Sequence, residues 1–126
     1  MHFEFATATR IIFGAGTLQQ IGPLAKQFGR RALIVTGKDP HRATPLLALL
    51  DEHGIASRIF SVNREPEIAT VEQGTKLARE ENCEMVISFG GGSALDAGKA
   101  VAAMLANDGL LLDYVEIIGR GATVSR

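Results

Sequence analysis

The sequence contains a single cysteine, Cys83, no tryptophan, and a formal net charge of only −1. One cysteine forms no internal disulfide, so any fold must rest on its core. Cys83 opens an apolar run and reads as a small buried hydrophobe rather than a nucleophile. A near-neutral balance leaves no basic footprint for nucleic acid or an anionic membrane. Aromatic residues make up 6% of the chain, too few for a base-stacking surface. No apolar run approaches the roughly 20 residues needed to span a bilayer, and no basic, apolar leader opens the chain. These absences predict a cytoplasmic protein with neither nucleic-acid nor membrane partners. The three histidines, His2, His41 and His53, show no metal-ligand spacing and read as solvated structural residues.

What remains is enough for one domain with a real core: 126 residues, 46% of them hydrophobic. Phe3–Ala6 alternates and Arg10–Phe13 is apolar, which predicts two short strands pairing as a hairpin at a sheet edge. Thr17 suits a helix cap, with a regular helix over 22–28 stopped by Gly29. Ala32–Thr36 is a continuous apolar run, the mark of a strand covered on both faces. Thr44-Pro45 opens a leucine-rich helix that stops at His53-Gly54. A strand follows within 55–62, then a polar loop through Pro66, then a helical stripe through Val71, Gly74, Thr75 and Ala78. Met85–Phe89 is a second buried run, and a helix follows to about Ala106. Leu110–Ile118 is apolar and reads as a short helix. Strand and helix alternating at this spacing predict an α/β, Rossmann-like three-layer domain with a mainly parallel sheet and an N-terminal β-hairpin.

The densest signal is Phe89-Gly90-Gly91-Gly92-Ser93-Ala94-Leu95-Asp96. Three glycines between a buried strand and a helix allow a sharp bend and close approach of another group to the backbone. The helix start offers free N–H groups and the positive end of a dipole, an anion site. Ser93 and Asp96 have the spacing of a capping box, with Ser93 as the cap. The dinucleotide fingerprint G-x-G-x-x-G fails here, because Leu95 stands at its last position; it fails again at Gly14-Ala15-Gly16, where Gln19 does. No Gly-Lys-Ser/Thr follows, so the nucleoside-triphosphate loop fails as well.

Gly90-Gly91-Gly92-Ser93-x-x-Asp96-x-x-Lys99 nevertheless resembles the glycine-rich motif of iron-dependent (group III) alcohol dehydrogenases. Arg10–Gly16, Arg31–Thr36 and the Val62–Pro66 loop are similar to that family's segments in the same order. The family joins an N-terminal NAD(P)-binding domain to a helical domain that holds a divalent metal, usually iron, through one aspartate and three histidines. The resemblance implies a pyrophosphate cradle at Gly91, Gly92 and Ser93, with Asp96 close to the cofactor. It also implies cofactor contacts at Gly37, Lys38 and Pro66. Gly98 would permit close helix–strand packing, and Lys99 reads as a helix-surface lysine. NAD-using members often carry an acidic residue where Gly37 stands. With Lys38 next and Arg42 nearby, the pattern favours a 2′-phosphate and hence NADP, although Asp39 is placed to take a ribose hydroxyl for NAD.

The implied activity is an oxidoreductase interconverting an alcohol and an aldehyde or ketone by hydride transfer. Neither catalytic residues nor metal ligands are expected in this chain. The tail after Gly119 carries no pattern, so residues 1–126 are expected to be the dinucleotide-binding domain of a longer, metal-dependent enzyme, inactive alone. Glycerol dehydrogenases and maleylacetate reductases are similar in this region, and a non-catalytic nucleotide-binding module is the alternative of another class. An exposed edge hairpin would also allow a homo-oligomer.

Overall fold

A computed structural model describes residues 9–13, 21–108 and 112–118. In chain order the elements are β1 (Thr9–Phe13), α1 (Ile21–Lys26), β2 (Arg31–Thr36), a single 3-10 turn (Pro40–Ala43) and α2 (Thr44–Glu52). They continue with β3 (Ala56–Ser61), α3 (Ile68–Glu80), β4 (Met85–Gly90), α4 (Gly92–Asn107) and β5 (Leu112–Ile118). All four strand pairings are parallel, in the order β1-β5-β4-β2-β3.

The two continuous apolar runs become the central strands, for the reason their composition gives. Ala32–Thr36 and Met85–Phe89 are buried on both faces. Because successive side chains alternate, each strand feeds two cores. Ile34, Met85, Ile87 and Phe89 pack with Ala25 of α1 and Leu46 and Leu50 of α2. Leu33, Val35 and Val86 pack with Ala78 of α3 and Ala97, Val101 and Leu105 of α4. The result is the expected three-layer arrangement.

One expectation changes. Residues 112–118 form strand β5, not a helix; Tyr114, Val115 and Ile117 are fully or nearly fully buried in it. An apolar run this short is ambiguous by periodicity, and the open edge of β4 decides it. Arg10–Phe13 is a strand as expected, but it pairs parallel to β5. Its expected hairpin partner, Phe3–Ala6, lies outside the described residues.

The close seating of α4 on β4 depends on Gly98. A Cβ there would overlap Ser88 Oγ and approach Tyr114 Cε1 to 3.1 Å. Ser88 Oγ is itself buried without a hydrogen-bond partner among the described residues. Gly98→Val should therefore destabilise the chain by about 3 kcal/mol through overpacking. Ser88→Ala alone should cost less than about 1 kcal/mol, because it removes an unpaired polar atom. Urea unfolding of both variants checks the pair, and equal losses would contradict this account.

Candidate functional site

The chain reverses direction across the sheet between β2 and β4. From β2 it steps outward to β3; from β4 it steps the other way to β5. A crevice at the carboxyl ends of the strands is the general ligand position of such a switch point. Here the crevice is flanked by Gly37, after β2, and Gly90, at the end of β4. A Cβ built on Gly90 would stand 3.5 Å from Gly37 N.

The three glycines of the turn are not equivalent. Gly90 has φ +145°, a conformation essentially reserved for glycine. Gly91 has φ −92°, which any residue adopts, and a Cβ at Gly91 or Gly92 would meet nothing within 4 Å. Of these three glycines, the backbone requires glycine at Gly90 only. At Gly91 and Gly92 the missing side chains leave space in front of the helix start.

Helix α4 begins at Gly92, with Gly91 as its cap, and no side chain caps it. The expected capping box between Ser93 and Asp96 is therefore not formed. Glycine is itself an accepted cap, and it moves the helix start ahead of Ser93. The first helical bond runs from Leu95 N to Gly91 O at 3.0 Å. The N–H groups of Gly92, Ser93 and Ala94 precede it and point out of the helix end. No acidic residue lies in the first turn. Together with the dipole, this helix end is arranged to receive an anion. Ser93 is half-buried beside it, and Asp96 is exposed one turn on.

Gly37 and Lys38 sit on the opposite lip, with Lys38 exposed. The Asp39 carboxylate accepts from His41 N at 3.2 Å and caps the 3-10 turn. Pro66 groups elsewhere. It lines an apolar groove of about 330 Å³ with Ile68 and Val71 of α3 and Ala100, Ala103 and Met104 from the middle of α4. Lys99 is half-exposed, its Nζ 3.8 Å from Glu116 Oε2, and so offsets a carboxylate that is itself buried.

Sequence reasoning passed over two further groups. The Tyr114 hydroxyl lies 2.9 Å from the Leu95 carbonyl, in the opening turns of α4, and 2.8 Å from Glu116 Oε2, and donates its one proton to one of these two acceptors at a time. Burial pushes this phenol far up, so it stays protonated. Ser61 Oγ, on β3, donates to the Gly37 carbonyl at 2.8 Å. The Tyr114–Leu95 and Ser61–Gly37 bonds leave no local pattern, because each joins residues distant in sequence.

Iron has no seat among the described residues: they contain no group of three histidine, cysteine, aspartate or glutamate side chains able to hold a metal. His53 Nδ1 is engaged with the Leu49 carbonyl at 2.9 Å, and His41 is exposed in the 3-10 turn. No helix among the described residues is long and apolar enough to cross a membrane.

The fold is a Rossmann-like α/β unit, and comparison with known proteins gives its family. A family model described as iron-containing alcohol dehydrogenase matches residues 8–125. NADH-dependent butanol dehydrogenase A of Clostridium acetobutylicum is 35% identical over 121 residues, which cover 92% of this chain and 31% of that one. Alcohol dehydrogenase 4 of Saccharomyces cerevisiae is 38% identical over 109 residues, covering 81% of this chain and 28% of that one. The iron-containing alcohol dehydrogenase of Thermotoga maritima superposes with a TM-score of 0.70 at 31% identity, over 93% of this chain and 38% of that one. The chain belongs to the iron-containing alcohol dehydrogenase family. It spans about a third of the length of the curated relatives it matches.

Cys83 stands apart from this site. It packs against the α3–α4 core, and burial pushes its thiol up to about 11. At pH 8 the reactive thiolate is therefore scarce. Iodoacetamide at pH 8 should label the native chain at least tenfold more slowly than the urea-unfolded chain, read by mass spectrometry; equal rates would contradict the burial.

Proposed function

We propose that this chain is the dinucleotide-binding unit of an iron-containing alcohol dehydrogenase, an oxidoreductase that moves a hydride between a small alcohol and a nicotinamide cofactor. The observation that carries this is the open space at Gly91 and Gly92. Their backbones tolerate side chains, so their bareness serves something that approaches from outside. In this reading the pyrophosphate rests on the N–H groups of Gly92, Ser93 and Ala94, and Ser93 Oγ adds a donor. Asp96 lies within one turn of the cradle, positioned for a polar group of the cofactor. Gly37 and Lys38 face the adenosine ribose. When bound, the dinucleotide supplies a nicotinamide that accepts or returns the hydride. The chain's own part is to bind it and fix its direction across the crevice. Pro66 is the outlying member of the set, at the rim of the α3–α4 groove. We place the protein in the cytoplasm on composition.

Among the described residues no group of three His, Cys, Asp or Glu side chains can hold a metal, and His41 and His53 do not fit one. The iron of the family name therefore enters no step here.

Between the two cofactors, we infer a preference for NADP. No carboxylate follows β2 directly, Lys38 is exposed there, and Asp39 is turned into its own 3-10 turn. A donor-rich lip suits a 2′-phosphate. The second reading, NAD, is favoured by relatives: the butanol dehydrogenase is NADH-dependent by name, and a sulfoacetaldehyde reductase from Bifidobacterium kashiwanohense, 29% identical with a TM-score of 0.60 and covering 80% of this chain and 28% of that one, was solved in complex with NAD+.

Titration of the purified chain with NADPH and NADH, followed by nicotinamide fluorescence, tests these points. Binding is expected for both, tighter for NADPH, with no alcohol oxidation by the chain alone. Gly92→Ala should melt within about 2 °C of the unmodified chain and yet bind roughly tenfold more weakly, a loss of about 1.4 kcal/mol. Unchanged binding in that variant would remove the cradle from the proposal.

A further inference from the structure

Ser61 holds a peptide that would otherwise be free to turn over, and that peptide forms one lip of the crevice. The Gly37 carbonyl accepts two hydroxyls, Ser61 Oγ at 2.8 Å and Thr36 Oγ1 at 3.1 Å. Thr36 is the preceding residue and moves with the same loop. Ser61 comes from another strand, directly opposite Thr36 in the β2–β3 register. Among the described residues, the Ser61 bond is the one that ties the loop to the sheet. Gly37 needs such a tie. It has no side chain, a Cβ there would meet nothing within 4 Å, and glycine resists rotation of its peptides least of all residues.

The direction of the tie has a consequence. The carbonyl points toward β3. In a trans peptide the following N–H points the opposite way, and no cis bond occurs among the described residues. The Lys38 N–H therefore points away from the Ser61 hydroxyl, and β4, which ends at Gly90, flanks β2 on the side opposite β3. The lip thus offers the crevice a donor, beside the exposed Lys38 ammonium, while the nearest carboxylate, Asp39, is occupied by His41 N. Donors suit a 2′-phosphate; an acceptor suits a 2′-hydroxyl. Released from Ser61, the peptide can turn over and present the Gly37 carbonyl, an acceptor.

We propose that Ser61 is a positioning residue for cofactor choice: its hydroxyl fixes the Gly37–Lys38 peptide donor-side to the crevice, and so favours the dinucleotide that carries a 2′-phosphate. This rests on the dinucleotide reading given above. The test compares NADPH and NADH affinities of the full 126-residue chain with those of Ser61→Ala and Ser61→Thr. The ratio of the two affinities is the readout, because a general loss of structure weakens both cofactors together. Ser61→Ala should lower the NADPH-to-NADH affinity ratio at least fivefold, and Ser61→Thr, which keeps the hydroxyl, should restore it to within twofold. Should Ser61→Ala fail to fold, Ser61→Cys, whose thiol is a weak donor, gives the same comparison. An unchanged ratio in a variant that still binds overturns the role of Ser61 and leaves the cradle standing. Binding of neither dinucleotide by the unsubstituted chain overturns the cradle, and the role of Ser61 with it.

Discussion

The fold and its crevice depend on how closely α4 lies on β4. Three small residues on one side of the helix, Ala94, Ala97 and Gly98, are buried against the sheet. At Gly98 the backbone itself meets Ser88. A helix this close must start almost at the end of its strand, and the turn between them has room for little more than Gly91. Gly90 makes that turn possible at φ +145°. The anion cradle is thus a by-product of packing. Sheet and helix are brought so near that the first N–H groups open directly over the strand ends, where α2 and α4 leave β2 and β4 for opposite faces of the sheet.

That constraint explains how much could be read beforehand. Ala32–Thr36 and Met85–Phe89 declared themselves because strands buried on both faces need unbroken apolar runs. The helix stripes followed from their spacing, and the glycine turn from its composition. The stretch 112–118 was less legible. Its apolar content fits either element, and a strand wins because β4 has an edge to cover, a tertiary fact with no local trace. The cap on α4 was misassigned for a related reason. Ser93 has the better capping side chain, but the helix begins wherever the backbone can first turn, and the glycines allow the cap two residues earlier, at Gly91. Ser61 and Tyr114 were invisible as site-shaping groups, because each acts on a carbonyl contributed by a distant part of the chain.

The family assignment and the site also explain the failed fingerprint. G-x-G-x-x-G encodes a tight turn, a close approach to pyrophosphate and close helix–strand packing. In the function proposed above, other residues of this chain do all three jobs. Gly90 makes the turn, Gly91 and Gly92 clear the approach, and Gly98, rather than a glycine at Leu95, permits the packing. The spacing differs because the contact between helix and strand falls one turn further along α4.

The electrostatics of the crevice follow from the same geometry. The cradle carries only the partial charge of a helix end, worth about half an elementary charge. No acidic residue opposes it in the first turn of α4, and the one carboxylate of the β2 loop is occupied locally. A charge-poor site can hold a diphosphate only by directing many backbone donors at it, so orientation matters more than net charge. Lys99 illustrates the point: it is close to the cradle in sequence, yet half of its side chain is exposed and its nearest anionic partner is Glu116, 3.8 Å away. Selectivity between related anions must then come from which peptide groups face the crevice. For a lip made of glycine, that is decided by whatever holds the glycine's carbonyl.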